Sequence, residues 1–295
     1  MTAHLDRVHR TLLRAAAIAH VNADGAELLR DGNNVMYYLR GGIVARIGAP
    51  GSRDTALREV AVSRWLETAG IPATQAIADL PQNVLVDDRP ITWWKLLPPH
   101  RPATPKDLGG ALRRLHHLDA PKNLHLPEHD PFSGIRDRVR QATWMSDDDQ
   151  AWLLAHENTL TDAYDSVSTP LDRGVIHGDA WQGNVAVLDD DTTVLLDLEA
   201  VSHGYRAWDL IQIAVDVTDF ERISPETYCE FVASYGGYDL TTSSDFRTFA
   251  DIQVLRWLAF ALSKAADDPA AMRECRHRLS CVRGDIPRPW KWTAL

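Results

Sequence analysis

Between residues 175 and 199 the chain sets acid and amide side chains around two short apolar runs. The segment reads Val175-Ile176-His177-Gly178-Asp179-Ala180-Trp181-Gln182-Gly183-Asn184, then Val185 to Leu188, the triple Asp189-Asp190-Asp191, and Val194-Leu195-Leu196-Asp197-Leu198-Glu199. Apolar runs of this length on either side of a polar turn predict an antiparallel hairpin. With the turn centred between Asp190 and Asp191, Val185 faces Leu196 and Asn184 faces Asp197. Directly opposed residues of such a pair have Cβ atoms about 4.5–5.5 Å apart, which lets one amide oxygen and one carboxylate share a divalent cation. So small a set of oxygen donors suits Mg²⁺, which keeps waters and completes its octahedron with phosphate oxygens. Asp179 lies five residues before Asn184, on the turn entering the hairpin. A carboxylate there can take a proton from an incoming hydroxyl as general base. Glu199, on the same strand face as Asp197, is a candidate for contact with metal, water or acceptor. Asp189 to Asp191 read as turn residues.

Such a hairpin needs a scaffold, and the rest of the chain supplies one. Val35 to Leu39 and Ile43 to Ile47 are short apolar runs joined by Gly41-Gly42, which predicts two strands and a tight turn. A helix is expected from Asp54 to Ala69, stopped by Gly70 and Pro72, with Glu59 in its second turn. Further strands are expected at Val84 to Val86 and Ile91 to Leu97, the latter ending at Pro98-Pro99, a candidate linker. Beyond it helices dominate: Lys106 to Leu118, then 136–166, 205–235 and 245–282, with the strand-rich island at 174–199 among them. Trp93 and Trp94 alternate on a strand, and core packing is expected for both.

The 295 residues are 45% hydrophobic and 24% charged, which excludes disordered and fibrous classes. A net charge of −10 opposes binding to nucleic acid or anionic lipid. Residues 1–100 carry 11 Lys and Arg against 10 Asp and Glu, so the acidic excess lies in the remainder. Asp216, Asp219, Glu221 and Asp251 are candidates there to meet an amine. Three cysteines without a C-x-x-C pair argue against a disulfide framework and against a zinc ribbon. No run of eighteen apolar residues occurs, and the apolar stretch Thr11 to Ala19 is interrupted by Arg14. A cytoplasmic protein is expected.

The pattern H-G-D-x-x-x-x-N, followed by L-L-D-L-E and then G-Y-R-A-W-D-L, resembles the aminoglycoside phosphotransferase and choline kinase-like family. That resemblance implies an α+β bilobal protein-kinase-like fold. A small β-sheet lobe with one main helix, residues 1–97, would bind nucleotide. A larger, mostly helical lobe, residues 98–295, would carry the catalytic hairpin and the acceptor. By the same resemblance Asp179 is the catalytic base, Asn184 and Asp197 hold Mg²⁺, Asp209 braces the catalytic loop and His177 orients it. Arg46 would contact the α/β-phosphates, paired with Glu59; a guanidinium suits that clamp because it stays charged and forks bidentately. The turn Arg30-Asp31-Gly32-Asn33-Asn34 departs from a glycine-rich phosphate loop, leaving Asn33 and Asn34 to offer amide contacts. The segment Lys95 to Leu97 looks like the hinge that hydrogen-bonds adenine, and Trp181 and Trp208 are candidates to wall the acceptor pocket.

The implied reaction is transfer of the γ-phosphoryl of ATP or GTP to a hydroxyl of a small acceptor, cationic by family habit. No nucleic-acid or membrane partner is expected. A catalytically inactive nucleotide-binding regulatory module of the same fold is the alternative. A two-metal phosphoesterase is disfavoured because His203 and the pair His116-His117 lack companions at ligand spacing.

Overall fold

A computed structural model describes residues 3–266 and 268–295. In chain order the elements are α1 (Ala3–Ala19), β1 (Glu27–Asp31), β2 (Val35–Leu39), β3 (Ile43–Ile47), α2 (Arg53–Thr68), β4 (Val84–Val86), β5 (Arg89–Lys95) and β6 (His100–Pro102). There follow α3 (Pro105–His116), α4 (Ile135–Gln141), α5 (Asp147–Asp165), β7 (Arg173–Ile176), β8 (Val185–Leu188), β9 (Thr193–Leu195) and β10 (Ser202–Tyr205). The chain ends with α6 (Ile211–Thr218), α7 (Pro225–Tyr235), α8 (Phe246–Lys264) and α9 (Pro269–Arg283). They divide into two compact units, the first made of the chain up to Thr104 with Ala120–Leu126 and Gln182–Val201, the second of the remaining segments.

The first unit is built on a five-stranded antiparallel sheet in the order β1-β2-β3-β5-β4. Side chains alternate across a strand, so each face of the sheet needs its own cover. Val35, Tyr37, Leu39, Ala45, Ile47 and Trp93 pack on one face against Val8, Leu12, Ala15 and Ala19 of α1, whose spacing is that of one helical stripe. Val44 and Trp94 point the other way and pack with Val60 of α2 and with Met36. Arg46, two positions from Val44, is thereby directed to the α2 face. Both tryptophans are core, at 0% and 5% exposure, and each ring N–H is used: Trp93 donates to the Pro81 carbonyl and Trp94 to Thr92 Oγ1.

The hairpin β8–β9, extended by β6 on its outer edge, belongs to this unit. Its register differs from expectation by one residue: Val185 pairs with Leu195, Ala186 with Val194 and Val187 with Thr193. The cause is the turn. Leu188 N–H bonds to the Thr192 carbonyl, Asp191 N–H returns to Leu188, and Asp191 takes a left-handed conformation with φ of 63°. That is a three-residue loop centred on Asp190, closed by an αL residue, instead of an even loop. Asn184 therefore pairs with Leu196, whose N–H it accepts at 2.9 Å, and Asp197 lies one residue beyond. There the backbone turns, Asp197 having φ of 52°, and a single 3₁₀ turn follows at Leu198–Ala200.

Around α8 the second unit assembles its helices. Eleven of the nineteen residues of α8 are buried, spread over its whole circumference, as a central helix requires. α4, α5, α6 and α9 pack on it. α3 lies against α7, where Gly109 lets the backbones approach; a Cβ there would come to 2.7 Å from the Phe231 carbonyl oxygen. β7 and β10 form a two-stranded antiparallel ribbon that leads into and out of the hairpin segment. Among the described residues no helix is long and apolar enough to cross a membrane.

Candidate functional site

In the first unit the site is organised by one guanidinium. Arg46 is directed from β3 toward α2, where Glu59 is buried at 3% exposure among Val60, Val62, Ser63 and Leu66. Its Nη1 donates to Glu59, while Nη2 donates to Asp197 Oδ1 at 3.2 Å and to Glu199 Oε2 at 3.0 Å. Glu199 Oε2 also accepts from Asn34 Nδ2 at 3.3 Å, so the turn between β1 and β2 is tied to the same cluster. Thus Arg46, Glu59, Asn34, Asp197 and Glu199, drawn from four separate stretches of sequence, meet.

Electrostatics follows from the count. Three carboxylates face one guanidinium, an excess of two negative charges when all three are ionised, which one divalent cation would cancel. Burial pushes the Glu59 carboxyl up, and although Arg46 opposes this, the negative neighbours Glu199 and Asp197 add to it, leaving a value of about 7. Arg46, despite burial, is held more firmly protonated than usual by Glu59, Asp197 and Glu199. The donor set of Asn184, buried at 7% exposure, with Asp197 is an amide oxygen and a carboxylate, the chemistry of a hard cation that finishes its shell with water and phosphate. Among the described residues no group of three or more His, Cys, Asp or Glu side chains is placed as a closed metal cage.

The remaining nucleotide candidates sit at opposite ends of the sheet, Lys95 beside the turn between β2 and β3 and Asn33 in the turn between β1 and β2. Lys95 Nζ donates to Gln75 Oε1 at 2.7 Å and its backbone N–H to the Gln75 carbonyl, while Leu96 N–H is given to Gly42. Leu97 follows, half-buried, at the end of that segment, and Asn33 is exposed beside Asn34.

The second unit holds the loop that carries Asp179. Asp209, at 1% exposure, accepts the His177 N–H at 2.6 Å on Oδ2 and the Gly178 N–H at 2.9 Å on Oδ1. Gly178 has φ of 82°, a conformation that a side chain would strain, and Trp208 Nε1 donates to its carbonyl at 3.2 Å. Burial alone would raise the Asp209 carboxyl; hydrogen bonding and charge from His116, with help from His177, hold it below the ordinary carboxylate value. Gly178, just before Asp179, is thus clamped through both its N–H and its carbonyl.

His116 is a neighbour of Asp209 that spacing alone passes over. Its Nε2 lies 3.0 Å from Asp209 Oδ2 and its Nδ1 2.8 Å from the Tyr235 hydroxyl, all three groups buried. The signal was available: His116 continues the stripe of Leu108, Leu112 and Leu115, and a buried imidazole needs polar partners. Spacing passes over Arg256 of α8 as well. Its guanidinium lies 5.4 Å from the Trp208 ring centroid and Nη1 donates to the Pro131 carbonyl at 2.8 Å. Burial lowers its pKa and the Asp179 carboxylate works against that shift. The His129 ring packs 4.8 Å from Trp208, and burial, reinforced by Arg256, lowers its pKa to about 4.

Other candidates are placed differently from expectation. His203 Nδ1 lies 3.1 Å from Glu128 Oε1, an exposed pair. Trp181 is 43% exposed, whereas Trp208 is buried under the loop at 3%. Asp216, Asp219 and Asp251, the acids offered for an amine, are already matched: Asp216 with Arg222 at 2.9 Å, Asp219 with Arg247 and Arg288 at 2.9 Å each, and Asp251 with the same two arginines.

Residues 25–274 match the Phosphotransferase enzyme family. This chain belongs to that family. Structures of the phosphotransferase fold surround it: an amicoumacin kinase solved with AMP-PNP and Ca²⁺ superposes with a TM-score of 0.73 at 14% identity, over 95% of this chain and 94% of that one. A microcompartment-associated aminopropanol kinase gives 0.71 at 18% identity, covering 95% and 99%. An aminoglycoside phosphotransferase from Streptomyces rimosus gives 0.60 at 19% identity, covering 86% and 99%. No curated protein matched the chain by sequence. The α+β phosphotransferase fold expected from the motifs is therefore the fold found, with α1 as a further helix on the sheet of the first unit.

Proposed function

We propose that this phosphotransferase moves the γ-phosphoryl of ATP or GTP to a hydroxyl of a small acceptor, with residues 1–97 serving the nucleotide and 98–295 the catalytic loop and acceptor. What carries the reading is the Arg46 cluster: one guanidinium held by a buried Glu59 against Asp197 and Glu199, whose surplus negative charge suits a magnesium-bound nucleotide. Asn184 and Asp197 would hold Mg²⁺, which when bound neutralises phosphate charge and orients the phosphate oxygens. Arg46 contacts the α/β-phosphates with Glu59 fixing its direction, Asn33 and Asn34 offer amides to the phosphates, and Lys95 to Leu97 meet the base. Asp179 accepts the proton of the acceptor hydroxyl as its oxygen bonds to the γ-phosphorus and the bond to the departing nucleoside diphosphate breaks. Asp209, through His177 and Gly178, fixes the loop on which that base stands.

The acceptor class suggested by the neighbours' names is an amino alcohol or amino sugar. Asp216, Asp219 and Asp251 are not its anchors in this reading, because their charge is spent on arginines. The test is a screen of hydroxylated amines, sugars and antibiotics for consumption of Mg²⁺-ATP and Mg²⁺-GTP, each with Asp179→Asn as control. Acceptor-dependent turnover is expected, reduced by about 10²–10⁴-fold or more in the variant with nucleotide affinity retained. Equal rates would remove Asp179 from the mechanism; tight nucleotide binding with no turnover on any acceptor would favour the regulatory module.

A further inference from the structure

A cavity of the first unit lies behind α2. Residues two positions apart on an α-helix point about 200° apart. Since Glu59 and Ser63 are buried toward the sheet, Leu57, Ala61 and Arg64 form the opposite face. With Trp65 and the segment Pro121–Leu124 they line an open cleft of about 660 Å³. Among the described residues no acidic side chain lines this space, whereas two cations do, Arg64 and Lys122, both exposed. Among the described residues neither has an ion-pair partner, in contrast to Arg46 and Arg14, which are matched to acids.

We propose that this cavity binds a small amphipathic anion, an aromatic or medium-chain aliphatic body carrying a carboxylate or sulfonate, at a site separate from the phosphate cluster. Its size falls in the range of small-ligand pockets, roughly 300–1,000 Å³. Leu57, Ala61, Trp65 and Leu124 accept the apolar body, and Arg64 and Lys122 give the anion its counter-charge, which a neutral ligand of the same shape would leave unmatched. The helix that walls the cavity also carries Glu59, so occupancy on one face of α2 biases the side chain that directs Arg46 on the other. This coupling, though not the site itself, rests on the nucleotide reading of Arg46 and Glu59.

The probe is 8-anilinonaphthalene-1-sulfonate, titrated against the full chain by fluorescence, with uncharged N-phenyl-1-naphthylamine as its partner arm. One saturable sulfonate site is expected, with the neutral compound weaker by about fivefold or more. Ala61→Trp, which fills the cavity, should abolish the site, and Arg64→Glu with Lys122→Glu should weaken it by about tenfold or more. Thermal melts establish that each variant folds; if Ala61→Trp does not, the double charge reversal decides. In the wild-type chain the sulfonate should change Mg²⁺-ATP affinity by about fivefold or more without competing for its site. Sulfonate binding unchanged in Ala61→Trp or in the charge reversals, or equal binding of the neutral compound, would overturn the site. A site that binds but leaves nucleotide affinity unmoved would overturn the coupling, and a chain that binds no nucleotide at all would overturn the functional reading instead.

Discussion

Glu59 and Asp209 are both buried carboxylates, yet their surroundings drive them in opposite directions. Glu59 shares one guanidinium with two other acids and its carboxyl is pushed up to about 7. Asp209 receives two backbone N–H groups and the His116 ring, and its carboxyl is held low. Burial raises both; the ratio of donors to negative charge decides the outcome. The first cluster is therefore short of positive charge, which is what the proposed magnesium-nucleotide site requires. The second is fully matched, as a fixed frame should be.

Breaking the matched frame should have the largest effect. Asp209→Ala strands two buried backbone N–H groups and His116, at a cost of roughly 3–5 kcal/mol. Thermal melting should fall by several degrees or more and phosphoryl transfer should be lost with it; a melt within a degree of wild type would show that the loop does not depend on this carboxylate.

The pH dependence of stability sharpens the other half. Glu59 has a folded pKa raised above its unfolded value, so its contribution is fully present below pH 4.5 and is lost as pH rises toward about 7. Ligand-free wild type should lose on the order of 2–3 kcal/mol across that window relative to Glu59→Gln. Urea titrations of the two proteins at a series of pH values measure the difference, and parallel pH curves would contradict the charge excess at Arg46.

A smaller effect is expected at Arg256. Arg256→Met removes the cation above Trp208 and the bond to Pro131, worth about 1 kcal/mol. A melt lowered by a few degrees, with nucleotide affinity unchanged, would fit a role confined to the second unit. A nucleotide affinity that fell with it would blur the distinction between the two carboxylate environments.

Much of this was legible in the sequence because it was local. The strands Val35–Leu39 and Ile43–Ile47 are short apolar runs joined by Gly41-Gly42 and form as expected. α2 and β4 likewise lie within a residue of their expected positions, and Gly70 and Pro72 follow the end of α2. α1 was obscured by Arg14, which sits on the solvent face and pairs with Asp87 at 2.7 Å without interrupting the buried stripe. β1 carries no alternation to detect, since all five of its residues are exposed at the sheet edge. The hairpin register turned on a left-handed Asp191, a backbone choice that composition does not specify. His116 and Arg256 act on groups 93 and roughly 80 residues away in sequence, and only the fold brings such partners together.

Calorimetric titration of an ATP analogue with and without Mg²⁺, into wild type and Asp197→Ala, tests the central claim most directly. Magnesium should strengthen nucleotide binding to the wild-type chain, and the variant should lose that dependence while still folding. Undiminished magnesium-dependent binding in Asp197→Ala would contradict the assignment of the Arg46 cluster to the nucleotide.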